Sequence, residues 1–183
     1  MIQAIKQFTR LLQHPERAWK QLLGDKDKDS SHFYQVYWIM ALIIPFSAIG
    51  KTIALAEFNG AVLISDALLT FVSLFTALHI GASVIKLYYE HAEKQTISYN
   101  SAIEYTAYAS AAVYASVWLI EITQMPIFWL GALYSLKIVL ASIQSGYLPV
   151  DTKRQHNATL VISFVIISLP YLMQIIMGMI VNV

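Results

Sequence analysis

Cysteine is absent from the 183-residue chain, and only 13% of the residues are charged. The first absence removes disulfides, thiolate nucleophiles and cysteine metal sites together. The second excludes an ordinary soluble domain, of which about a quarter is charged. A charge field is missing as well. Twelve basic residues against eleven acidic leave a net +1, so nothing attracts nucleic acid or an acidic substrate. The sequence contains no nucleophile elbow, zinc helix, phosphate loop or dinucleotide fingerprint. Its histidines, His14, His32, His79, His91 and His156, are too far apart in sequence to suggest a ligand set. An enzyme is therefore not expected, and neither is a metal or another cofactor.

What remains is apolar sequence, 57% of the chain. It falls into five blocks at about 33–55, 62–87, 101–123, 126–148 and 158–182, each long enough for a helix to cross about 30 Å of hydrocarbon. Short alternating segments, which a membrane barrel needs, are missing, so helices are required. The fold class expected is an all-α integral membrane protein of five transmembrane helices, preceded by an amphipathic helical segment. The lipid bilayer is its first partner, with a second copy or another membrane protein as further partners.

In residues 1–24, Ile2, Ile5, Phe8 and Leu12 recur at helical spacing, with Lys6 and Arg10 on the other side. Pro15 restarts the pattern, and Ala18, Trp19, Leu22 and Leu23 make a second apolar face before Gly24. Interspersed charges exclude a signal peptide. Two readings fit: amphipathic helices on the membrane surface with Trp19 as an interfacial anchor at headgroup depth, or a lid packed under the bundle. Residues 25–32 are a charged linker without the glycine and distal glutamate of a calcium loop.

Orientation follows from basic residues in short loops. With the N-terminus in the cytoplasm, that side collects Lys6, Arg10, Arg17, Lys20, Lys26, Lys28, Lys86, Lys94, Lys153 and Arg154. Lys51 alone lies near the other face. The C-terminus is therefore expected on the opposite, outer face.

An ionisable side chain within a span needs a partner, water or an escape to the interface. Asp66 and Glu104 lie near span ends, where snorkelling suffices. His79 and Lys137 lie deeper. Tyr134, Lys137 and Gln144 fall on one stripe of the fourth span, and Thr76, His79, Ser83 and Lys86 on one stripe of the second. Facing each other, with Glu104 and Tyr108 of the third span, these stripes form an expected polar pocket. Interhelical hydrogen bonding is one use of such residues, and a solute or proton path is the other. Pro45 and Pro170 are expected to kink the first and fifth spans.

His14-Pro15 with Trp19, the segment from Met40 to Gly50, Ala107-Tyr108-Ala109-Ser110, Leu133-Tyr134-Ser135 and Gly146-Tyr147-Leu148-Pro149 occur in this order over nearly the whole chain. In this the sequence resembles the Yip (Ypt-interacting protein) domain family, in its small bacterial inner-membrane branch. The resemblance implies five spans, a cytoplasmic N-terminus and a non-enzymatic role in membrane organisation, shaping or partner recruitment. The chain departs from the family pattern in two places. Ala111-Ala112 stands where the family has a proline soon after its Ala-Tyr-Ser run, and Lys137 stands where a neutral residue is usual.

The charge bias makes a direct prediction. A reporter active only in the periplasm is active when fused after Val183 and silent when inserted between Pro149 and Asn157; the reverse pattern overturns the orientation.

Overall fold

The computed structural model describes residues 2–25, 37, 40, 41, 50 and 60–181, and every regular element among them is helical. Helix α1 (Ile2–Gln13) and α2 (Pro15–Asp25) form a hairpin. Then come α3 (Gly60–Tyr88), a π turn (Tyr89–Glu93), α4 (Tyr99–Ala109), α5 (Ala111–Thr123), a 3-10 segment (Pro126–Tyr134), α6 (Ser135–Gln144), a 3-10 turn (Thr152–Arg154) and α7 (Gln155–Val181). Most of the charged linker and of the expected first span, including Pro45, lies outside the described residues.

Three helical stretches are long and apolar enough to cross a membrane: Ile64–Glu93, Pro126–Gln144 and Thr152–Ile180. They carry exposed apolar faces. Ile64, Leu68, Val72 and Leu87 on α3, and Leu160, Phe164, Ile176 and Met179 on α7, are open to the surroundings, far beyond what a water-soluble monomer exposes.

The expected third span is two shorter helices that meet at Ser110. No proline is needed for the break. Thr106 Oγ1 donates to the Ala102 carbonyl, Ser110 Oγ to the Thr106 carbonyl and Ser116 Oγ to the Ala112 carbonyl, at 2.7–2.8 Å. Such back-bonding bends helices, and Ser110 takes φ −80°, ψ 6°. Small side chains then let neighbours close in. A Cβ on Gly81 of α3 would lie 3.3 Å from Thr106 and 3.6 Å from Leu169, and one on Gly131 would lie 2.7 Å from Ser116 Oγ. Pro170 sits inside α7 at the same crossing, buried beside Ser110 and Gly81.

The fourth expected span is helical over Pro126–Gln144, but its first nine residues are wound as 3-10 helix. At about 2.0 Å per residue this covers more length than α-helix does. After α6, Gly146 adopts φ 78°, a left-handed conformation suited to glycine, and the chain turns so that Tyr147 and Leu148 are buried.

The hairpin α1–α2 packs against the bundle. Trp19 is fully buried, and its Nε1 donates to the Ile138 carbonyl on α6 at 3.0 Å. Its ring lies 4.6 Å from Tyr147 and 5.4 Å from Tyr105, with Tyr108 edge-on at 6.4 Å. Phe8 packs on Trp118 at 5.0 Å, and Tyr108 donates to Gln7 Oε1 at 3.0 Å. The apolar faces counted in the sequence thus serve the bundle as a lid. Of the two readings, the structure shows Trp19 enclosed by protein: its indole meets Ile138, Tyr105, Tyr108 and Tyr147.

Truncating a fully buried tryptophan to alanine costs about 3–5 kcal/mol. Trp19→Ala is therefore expected to lower the unfolding midpoint of the detergent-solubilised protein sharply, and Trp19→Phe, which loses only the hydrogen bond and part of the ring, to lower it less. Equal midpoints for all three proteins would show that the hairpin does not depend on this residue.

Candidate functional site

Three separate sites take the place of the single polar pocket expected from the sequence. His79 belongs to the first. Its Nδ1 lies 3.0 Å from the Tyr99 hydroxyl and its Nε2 3.4 Å from the Tyr37 hydroxyl. Phenylalanine 75 packs on the imidazole at 4.5 Å between ring centres, and Tyr37 and Tyr99 stack beyond it at 6.4 and 6.3 Å. A neutral imidazole has one donor and one acceptor, and a phenol can serve either. Both nitrogens are thus satisfied, and the cluster ties α3 to the start of α4 and to Tyr37.

Glu104 and Tyr108 belong to the second site, under the hairpin. Tyr108 is buried between Gln7 and Trp19. Tyr105 is fully enclosed, 3.1 Å from Ser142 Oγ; Ser142 donates its own hydrogen to the Val139 carbonyl, so the phenol is the donor. Glu104 is half-buried near this cluster. Burial pushes the Tyr147 phenol far above its ordinary value, and the Glu104 carboxylate adds to the rise, so this ring stays neutral at physiological pH.

Lys137 belongs to the third. Its ammonium lies 5.4 Å from the centre of the Tyr134 ring, a cation–π contact. It lines a pocket of about 200 Å³ with Gln13, His14, Pro15, Glu16 and Arg17, all from the turn between α1 and α2. Of the expected grouping, Tyr134 lies with Lys137, whereas among the described residues Lys137 and His79 share no partner, and Gln144 is exposed at the end of α6. The physical reason is rotational: α6 turns Ile138 toward Trp19, which swings Lys137 to the edge of the hairpin. Asp66 lies half-buried early in α3.

Glu16 was not singled out in the sequence, and His14 and Arg17 were read only as part of a motif and of the charge count, because nothing local sets the hairpin turn beside α6. Glu121 was also passed over. It accepts from Thr70 Oγ1 at 3.1 Å, and the backbone of Gly50 presses against its carbonyl. A carboxylate in the last turn of an apolar block was the available signal.

The basic loops meet at one end of the bundle. The Arg154 guanidinium donates to the Ala92 carbonyl and the Asp151 N–H to Glu93 Oε2, which joins the turn after α6 to the end of α3. Lys86, Lys94, Lys153 and Arg154 all lie there. No family model, no curated protein and no solved structure matches this chain.

Placing Lys137 at an open pocket has a measurable consequence, helped by the absence of native cysteine. Single Lys137→Cys and Arg17→Cys variants are expected to react with a membrane-impermeant thiol reagent from the same side of sealed vesicles. Labelling from opposite sides, or of Arg17→Cys alone, contradicts the shared pocket.

Proposed function

We propose that the chain is a non-enzymatic inner-membrane protein of five spans that organises or shapes the bilayer and recruits partners at its cytoplasmic end, as the Yip resemblance implies. Support comes chiefly from one contact, the Trp19 bond to Ile138. It sets the hairpin alongside a spanning helix, six residues or about 9 Å in from Gln144, rather than above it. The outer side of that hairpin carries Lys6, Glu16, Arg17 and Lys20, all exposed, which belong in water and headgroups. A hairpin inserted beside the spans at one level widens the protein in one leaflet only. Such a wedge bends a bilayer.

Together with Lys86, Lys94, Lys153 and Arg154, the same charges make a basic end that favours anionic lipid or an acidic partner. The transport alternative rested on one polar pocket uniting His79 and Lys137. With each held by its own partners, that reading loses its main support.

Reconstituted into liposomes of uniform size, the protein is expected to produce smaller or tubular vesicles by cryo-electron microscopy, in proportion to protein density. Trp19→Ala, in protein that keeps its helical content, is expected to abolish the effect. Spherical vesicles of unchanged size with the unaltered protein would sink the shaping role.

A further inference from the structure

Lys137 is the twelfth residue of the apolar stretch Pro126–Gln144, where an ammonium is costly unless it is compensated. Its ammonium lies over the Tyr134 ring. Among the described residues no carboxylate answers it: Glu16, the one acid in the pocket, pairs with neither Lys137 nor Arg17. The pocket therefore holds two unpaired cations. The start of α2 adds to them. The Ala18 N–H makes the first bond of that helix, to the His14 carbonyl, so the N–H groups of Glu16 and Arg17 precede the ladder, at the positive end of the helix dipole.

A second feature lies on the adjoining side of the same helix. A groove of about 390 Å³ runs between α6 and α7, lined by Leu133, Leu136, Leu160, Phe164 and Ser163. Its lining is apolar except for serine. Ser163 is 1% exposed, and its Oγ has no hydrogen-bond partner among the described residues; a buried hydroxyl without a partner carries a free-energy cost. Leu136 of the groove directly precedes Lys137 of the pocket on α6, and Leu133 of the groove lies one turn before Lys137, at the end of the 3-10 segment. Ser163 is eight residues, about 12 Å, from Gln155, and Lys137 is seven residues, about 10 Å, from Gln144. Both lie at a similar depth from the end where the basic loops meet.

From this juxtaposition we infer that the α1–α2 turn and the α6–α7 groove together form a binding site for one anionic phospholipid. Arg17, Lys137 and the first N–H groups of α2 hold the phosphate. An acyl chain lies along Leu133, Leu136, Leu160 and Phe164, and Ser163 donates to an ester carbonyl. A phosphate with an apolar tail satisfies both features at once, whereas free phosphate leaves the groove and Ser163 unanswered. The charges of the pocket, two cations against Glu16, favour a headgroup with no cation of its own. Lipid held there cements the hairpin to α6. The inference rests on the membrane placement proposed above, and the two fail separately: a chain released by alkaline extraction fails the first, and a membrane-retained chain without lipid selectivity fails only the second.

The test is native mass spectrometry of the full chain in detergent, titrated with phosphatidylglycerol, phosphatidylcholine or inorganic phosphate. Phosphatidylglycerol is expected to bind in one-to-one stoichiometry and more tightly than phosphatidylcholine. Lys137→Leu and Arg17→Gln each weaken it about fivefold, the value of one cation at an anionic lipid surface, and Lys137→Arg restores it. Because Lys137 and Arg17 are exposed, these variants are expected to keep the melting temperature of the unaltered protein without lipid. Competition by inorganic phosphate as strong as that by the lipid means a phosphate site without a tail and overturns the proposal. Equal affinity for the two lipids, or no change in Lys137→Leu, overturns it as well.

Discussion

An indole N–H in an apolar interior must find an acceptor, and for Trp19 that acceptor is the backbone carbonyl of Ile138. The other elements near the hairpin depend on this bond. It fixes the rotation of α6, because a carbonyl that receives the indole must face α2. Ile138 and Val139 then go inward, Ser142 meets Tyr105, and Lys137 goes to the edge. It also sets the depth of the hairpin, about 9 Å in from the end of α6. Tyr147 completes the enclosure, and it can do so because Gly146 reverses the chain at positive φ. The segment Gly146-Tyr147-Leu148 is therefore a clasp on the hairpin as much as a loop between spans.

The middle of the bundle is governed by a different constraint, the close approach of helices through small side chains. Alanine 107, Ala109, Ala111 and Ala112 are all buried, and their small side chains let α4 and α5 lie close to their neighbours. The hydroxyls of Thr106, Ser110 and Ser116 bond back to their own helix rather than across. They are thereby satisfied without a partner and cost nothing in packing, while the bend they introduce lets Gly81 and Pro170 reach the same point. A proline at 111 or 112 would serve the same end by removing a donor. Here serine does it by adding an acceptor-seeking hydroxyl.

Apolar block length carried the helices well: the second, fourth and fifth expected spans correspond to Ile64–Glu93, Pro126–Gln144 and Thr152–Ile180, and Pro15 marked the start of α2. The boundaries shifted where local chemistry extended a helix. Tyr89–Glu93 continues α3 as a π turn, with Lys86 paired to Glu90 at 3.4 Å, in a stretch that reads as loop by charge alone. Within one helix the polar stripes were also readable, as the Ser83 hydroxyl bond to the His79 carbonyl illustrates. Which stripe faces which was not. A period of 3.6 residues gives the face of a helix but not its azimuth relative to another helix, and the azimuth of α6 comes from a tryptophan 119 residues away in sequence. That one rotation separates Lys137 from His79. The same limit hid Arg17 and His14, which acquire a role only when the hairpin is docked.

Lysine 137 shows how a cost in one environment becomes a function in another. Judged against a spanning helix alone, an ammonium at the twelfth position calls for water or a counter-charge inside the bundle. The hairpin changes the environment instead of the residue. By lying beside α6 it sets the polar turn of residues 13–17 at Lys137, so the charge has polar neighbours without snorkelling the length of the helix. The hairpin's own turn then adds Arg17, and two cations without a carboxylate partner make a place for an anion. A neutral residue at 137 would leave the Trp19 bond and the lid intact. The lysine takes no part in that bond, and its place at the edge of the hairpin follows from the rotation of α6.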